Sequence, residues 1–250
     1  MEEIVEQVKN LPMIQSTFKV LFVKLDDPDV AEKVGFKERR AIEREVGLLI
    51  PGEPDLISPK ELFGIIIVNG RWIFGRYQKS EAIWLKHQQK PHGYSTALST
   101  RVARAVANIA VPRPEGIKAI DPCCGIGTVL VEALSMGIDM DGSDINHLIT
   151  NHTNENISHF GFKKEVVVRD IRKVTESYDS AIIDMPYNLC SVVTPQEQLE
   201  MLESTRKFSK KLVVVTIETI DSIIENAGFT IVDRCIVSKG GFIRQIIVCE

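Results

Sequence analysis

From Ile117 to the C-terminus, short apolar runs alternate with segments of helical period. This alternation constrains the fold more than any other feature of the chain. The runs Ile117–Asp121, Ile138–Ser143, Glu165–Arg169, Ser180–Asp184 and Leu212–Ile217 read as strands. Thr128–Met136, Asn146–Phe160, Gln196–Phe208 and Ile220–Asn226 read as the helices between them. Strands and helices alternating at this spacing predict a parallel sheet covered on both faces. The end departs from the pattern. Thr230–Val237 and Phe242–Cys249 flank Lys239-Gly-Gly, which predicts an antiparallel hairpin at the sheet edge. Before the first strand, Leu98, Val102, Val106 and Ile109 sit at helical spacing and predict an amphipathic helix over Thr96–Ala110.

The first ninety residues read as a separate small α/β unit. Phe18–Leu25 is a β-rich run, and Asp27-Asp-Pro-Asp supplies a cap and an early proline for a charged helix from about Asp29 to Glu45, ending near Gly47. Ile65–Val68 and Trp72–Tyr77 flank Asn69-Gly70, a strong hairpin signal, and a short helix is expected over Ser80–His87. The division is therefore 1–90 and 91–250.

The turn after the strand ending at Asp121 reads Asp121-Pro-Cys-Cys-Gly125-Ile-Gly127-Thr128 and opens a helix. Glycines there let the backbone approach a ligand closely. A dinucleotide site would need a third glycine where Leu130 stands, and Asp121 would repel a pyrophosphate, so a nucleotide-dependent oxidoreductase is disfavoured. A carboxylate at that place suits a cationic ligand such as an amino acid's ammonium. The second strand ends at Asp144, placed to accept ribose hydroxyls, and Asp170 follows the third, where it can take an adenine amino group. One aspartate at a strand end is commonly a cap or turn residue. Three at successive carboxyl ends of a parallel sheet lie on the edge where ligands bind.

The fourth strand ends Asp184-Met185-Pro186-Tyr187-Asn188. With the glycine turn, this loop resembles class I methyltransferases that methylate exocyclic amines, whose signature is Asp or Asn, Pro, Pro, aromatic. An exocyclic amine is a poor nucleophile, and a carboxylate with a backbone carbonyl can hold its two hydrogens while an aromatic ring stacks on the base. Three segments are similar to one branch, the THUMP-containing tRNA guanine-N2 methyltransferases: Ser99–Ala110, the run from Asp121 to Glu132, and the loop at Asp184. The resemblance implies a seven-stranded Rossmann-like methyltransferase sheet with a C-terminal antiparallel hairpin, preceded by a small, truncated or diverged THUMP-like domain. It implies S-adenosyl-L-methionine held by Asp121, Cys123, Gly125, Gly127, Thr128, Asp144 and Asp170. It implies catalysis by Asp184, Met185, Pro186 and Tyr187 on the N2 amine of a guanine in RNA, above all tRNA, with no metal. Met185 stands where the signature has its first proline, which is expected to cost the loop rigidity. The same loop serves adenine-N6 and protein glutamine methylation, and a non-catalytic module that binds RNA or cofactor is a further alternative.

Composition adds exclusions. Hydrophobic residues at 44% and charged residues at 26% are ordinary for a globular protein, and no apolar run approaches bilayer length. The acidic start lacks the pattern of a signal peptide, so a cytoplasmic location without a membrane partner is expected. The five cysteines have no C-x-x-C spacing for zinc or redox chemistry. Net charge is −4, yet seven Lys and Arg residues against one acid lie between Arg71 and Arg104. Within this segment Lys86, Lys90, Arg101 and Arg104 are the candidate RNA contacts. Oligomeric state has no signature in the sequence.

Overall fold

A computed structural model describes residues 2–24, 34–68, 70–186, 193–239 and 242–250. The chain divides into two compact units, Met1–Glu81 and Ala82–Glu250. The first contains α1 (Glu2–Lys9), β1 (Phe18–Phe22), α2 (Phe36–Leu49), β2 (Glu61–Val68) and β3 (Arg71–Arg76). β1 and β2 are parallel, joined through α2, and β3 pairs antiparallel with β2. One sheet face buries Phe18, Val20, Phe63 and Ile65 against Ile4, Val8, Ile42 and Val46. The expected helix from Asp29 begins outside the described residues. Its described part runs through Gly47 to Leu49, two residues beyond the expected end. Pro51 lies just beyond its end, where proline cannot continue a helix.

The second unit contains α3 (Ile83–His87), α4 (Thr100–Ala110), β4 (Lys118–Asp121), α5 (Thr128–Ser135), β5 (Asp139–Asp144), α6 (His147–His159), β6 (Val167–Val168), β7 (Tyr178–Asp184), α7 (Pro195–Phe208), β8 (Ser209–Thr216), α8 (Asp221–Asn226), β9 (Ile231–Lys239) and β10 (Phe242–Cys249). The sheet order is β6-β5-β4-β7-β8-β10-β9, seven strands in all. The first five are parallel, and β10 runs antiparallel between β8 and the edge strand β9. The expected parallel sheet with a terminal hairpin is therefore present. Alternate residues feed two cores, as expected where helices cover both faces. Ile182, Val213 and Val215 join α4 and α5 on one side, whereas Ile183, Leu212 and Val214 join α7 and α8 on the other.

Two boundaries differ from the sequence reading. Helix α3, expected with the first ninety residues, belongs to the second unit, where His87 Nδ1 lies 2.8 Å from the fully buried Glu132 Oε1 of α5. Helix α4 begins at Thr100 and not at Thr96, because Ser99 caps it by accepting from Val102 N. Thr96 is held out of the helix by Arg244 of β10, whose Nη2 donates to the Thr96 carbonyl at 2.9 Å. No helix among the described residues is long and apolar enough to cross a membrane.

Candidate active site

The strand order places the ends of β5, β4 and β7 side by side. Asp144, Asp121 and Asp184 thus line one cavity of about 390 Å³, and Asp170 stands on its wall after β6. Cys123, Thr128, Met185 and Pro186 line it as well. Tyr187 lies outside the described residues.

The glycine turn is built for close approach. Gly125 has φ of 51° and Gly127 φ of 75°, both in the left-handed region that favours glycine. A Cβ on Gly127 would stand 2.5 Å from Thr153 Cγ2, and one on Gly125 would stand 2.6 Å from the Tyr94 hydroxyl. Three side chains fix the turn from β5 and α6. Asp144 Oδ2 accepts from Gly125 N at 3.0 Å, the Thr153 hydroxyl donates to the Gly125 carbonyl, and Asn156 Nδ2 donates to the Ile126 carbonyl at 3.0 Å. Asn156 also binds both backbone polar groups of His92, so it ties the turn to the segment that carries Tyr94. Sequence reasoning missed Tyr94, Thr153, Asn156 and Arg244. Their partners lie 28 to 148 residues away, so no local pattern marks them.

The electrostatics show what the cavity fits. Asp121 is 3% exposed, and burial raises its pKa well above the usual carboxylate value. The hydrogen bond from Cys123 N opposes this, and the charges of Asp184 and Asp144 add to it. Three carboxylates converging on one concave site favour a cation. A ligand bearing an ammonium or a sulfonium meets that demand, whereas a phosphate does not. Ile145 and Ile171 add apolar wall beside Asp144 and Asp170, suited to a flat ring. The Thr128 hydroxyl is buried, lines the cavity and has no hydrogen-bond partner among the described residues, which leaves a donor for a ligand. The residues present therefore fit S-adenosylmethionine, a cation carrying an amino acid, a ribose and an adenine. Burial pushes the Cys123 and Cys124 thiols up, which keeps them protonated and unreactive. Among the described residues no group of three His, Cys, Asp or Glu side chains is placed to hold a metal ion.

At the end of β7 the structure corrects the expectation for Met185. The residue is 1% exposed, packed in the core beneath α7, and its N–H donates to the Val215 carbonyl at 2.9 Å. That bond extends the β7–β8 pairing by one residue beyond Asp184. Proline has no N–H to make it, so at this position methionine ties its own backbone to β8 in a way that proline could not.

The basic candidates separate. Lys86 and Arg101 are exposed, and Lys90 is half-buried. Arg104 is not a surface contact. Its Nη1 donates to Glu132 Oε2 at 3.1 Å and to Ser135 Oγ at 2.8 Å, because the fully buried Glu132 needs compensating donors.

A family profile described as an RMKL-like methyltransferase domain matches residues 87–216. The tRNA (guanine(10)-N2)-dimethyltransferase of Methanothermobacter thermautotrophicus is 28% identical over 213 residues, covering 81% of this chain and 60% of the relative. The protein of the same name from Pyrococcus abyssi is 26% identical over 216 residues, covering 79% of this chain and 64% of the relative. The chain thus spans less than two thirds of the length of either relative. TrmN from Thermus thermophilus has a similar fold, with a TM-score of 0.57 at 18% identity, covering 100% of this chain and 77% of that one. The profile takes in more than half of the chain, from the end of α3 to the end of β8, and with it every acid that lines the cavity from a strand end: the chain belongs to the RMKL-like methyltransferase-domain family.

Proposed function

We propose that this chain is a cytoplasmic S-adenosylmethionine-dependent methyltransferase acting on the exocyclic N2 amine of a guanine in RNA, above all tRNA. The observation that carries the reading is that Asp184, Met185 and Pro186 line the same cavity as Asp121 and Asp144. The names of the relatives, tRNA (guanine(10)-N2)-dimethyltransferase, support the substrate class.

In this reading Asp121 meets the cofactor's ammonium and Asp144 its ribose hydroxyls. Asp170 accepts from the adenine amine, while Gly125, Gly127, Cys123 and Thr128 line the approach. Bound S-adenosylmethionine supplies an electrophilic methyl group. The guanine is turned out of its stack to enter the cavity. Asp184 accepts one hydrogen of its N2 amine, and the carbonyls of Met185 and Pro186 accept the other. This aims a lone pair that the ring would otherwise delocalise. The proton that the amine loses passes to the Asp184 carboxylate or to water. Tyr187 stacks on the base. Lys86, Lys90 and Arg101 contact phosphates, and residues 1–81 act as a diverged THUMP-like RNA-binding unit.

The experiment is incubation with methyl-labelled cofactor and, separately, total tRNA, ribosomal RNA and protein, followed by digestion. Label in N2-methylguanosine or its dimethyl form from tRNA supports the proposal. Label in N6-methyladenosine or in protein refutes it.

A further inference from the structure

Arg172 lies on a 3₁₀ turn, Ile171–Lys173, that follows β6, and it lines the cavity. The guanidinium forks onto Asp170. Nε is 3.0 Å from Oδ1 and 3.1 Å from Oδ2, and Nη2 is 2.7 Å from Oδ2. The Arg172 backbone N–H also donates to Oδ1, at 2.9 Å. On its other side, Nη1 reaches Glu200 Oε2 of α7 at 3.2 Å. Each carboxylate oxygen offers about two acceptor positions. Oδ1 holds the Arg172 N–H, Oδ2 holds Nη2, and the one Nε hydrogen is shared almost evenly between them, so the carboxylate keeps acceptor capacity for a further donor. A planar fork fixes orientation as well as distance, which a single ammonium does not do. Helix α7, which Arg172 grips through Glu200, contributes Glu197 and Met201 to the same cavity.

We infer that Arg172 is a positioning residue for adenine recognition: it locks Asp170 in the rotamer whose remaining acceptor capacity serves the ring's exocyclic amine. The inference rests on Asp170 being the adenine acceptor, as proposed above. The ion pair itself contributes little to stability, because Arg172 is 51% exposed and solvent screens exposed pairs. Positioning and stability therefore separate by experiment.

The test compares calorimetric affinities for S-adenosylhomocysteine and S-inosylhomocysteine, which has a carbonyl where adenine has its amine. Wild type should prefer the adenosyl ligand by at least roughly tenfold, the low end of the value of one hydrogen bond to a charged group. Arg172→Ala should unfold at the wild-type temperature yet show a preference below about threefold, and Arg172→Lys should fall between, because lysine keeps the charge and loses the fork. Asp170→Ala should abolish the preference. If Asp170→Ala abolishes it and Arg172→Ala keeps or increases it, Asp170 does not need its arginine and the inference is overturned. If Asp170→Ala also keeps the preference, the assignment of adenine to Asp170 fails and takes the inference with it.

Discussion

Met185→Pro restores the residue that the amine-methyltransferase signature carries, and it is expected to damage this chain. The Met185 N–H donates to the Val215 carbonyl at 2.9 Å, and Val215 is fully buried. Proline removes that donor and strands a buried acceptor, at a cost of about 1–3 kcal/mol. The methionine side chain, 1% exposed among Leu202, Ile183 and Val214, is lost as well. Truncating a buried methionine to alanine costs about 2–5 kcal/mol, and proline, which keeps part of the volume, lies at the low end near 2 kcal/mol. Together these amount to roughly 3–5 kcal/mol, a fall in Tm of about 6–20 °C for a unit of this size. Urea unfolding followed by circular dichroism measures it, and an unchanged m-value certifies that stability alone has moved. Met185→Leu, which keeps the N–H and most of the volume, should cost less than about 1.5 kcal/mol. A Met185→Pro midpoint indistinguishable from wild type would refute both the ladder bond and the burial as the reason methionine stands here.

Gly127→Ala places a Cβ 2.5 Å from Thr153 Cγ2 at a φ of 75°, so Tm should fall. Adding Thr153→Ser removes the clashing methyl and should recover only the steric part, leaving about 1–2 kcal/mol of left-handed strain. Full recovery by thermal unfolding would contradict the strain. Asp121→Asn should raise the Tm of the ligand-free chain while weakening cofactor binding. Its folded pKa is raised by burial, so the ionised carboxylate destabilises the folded state above its unfolded pKa. A cation favours the ionised form. Wild-type affinity should therefore weaken as pH falls through the raised pKa, and a Kd that does not change with pH would contradict the role of Asp121. Lys86→Ala and Arg101→Ala should each lower the log–log salt slope of RNA binding by about one unit and leave Tm unchanged. Arg104→Ala should instead lower Tm, since it strips a donor from the fully buried Glu132.

The strand–helix alternation was legible because parallel strands buried on both faces, such as the run ending at Asp184, must be apolar throughout. The glycine turn was legible because positive φ at Gly125 and Gly127 leaves little choice of residue. What escaped was set by side-chain partners that carry no periodic pattern. The pattern through Leu98 reads as helix, but Ser99 caps α4 and Arg244, 148 residues away, holds Thr96 outside it. The charge count could not tell the exposed Arg101 from Arg104, which faces a buried glutamate. Asp170 was readable as a strand-end acid, but the arginine clamped onto it was not, since a surface Arg two residues on has no pattern of its own.

Asp184 is proposed to act on the substrate amine and not on the cofactor. Single-turnover methyl transfer to total tRNA by Asp184→Ala, at saturating cofactor, tests it directly, with calorimetry of S-adenosylhomocysteine on the same sample. The rate should fall at least roughly 10²-fold below wild type, as for other single positioning groups, with cofactor affinity unchanged. Near wild-type turnover, or a loss explained by weakened cofactor binding, would contradict it.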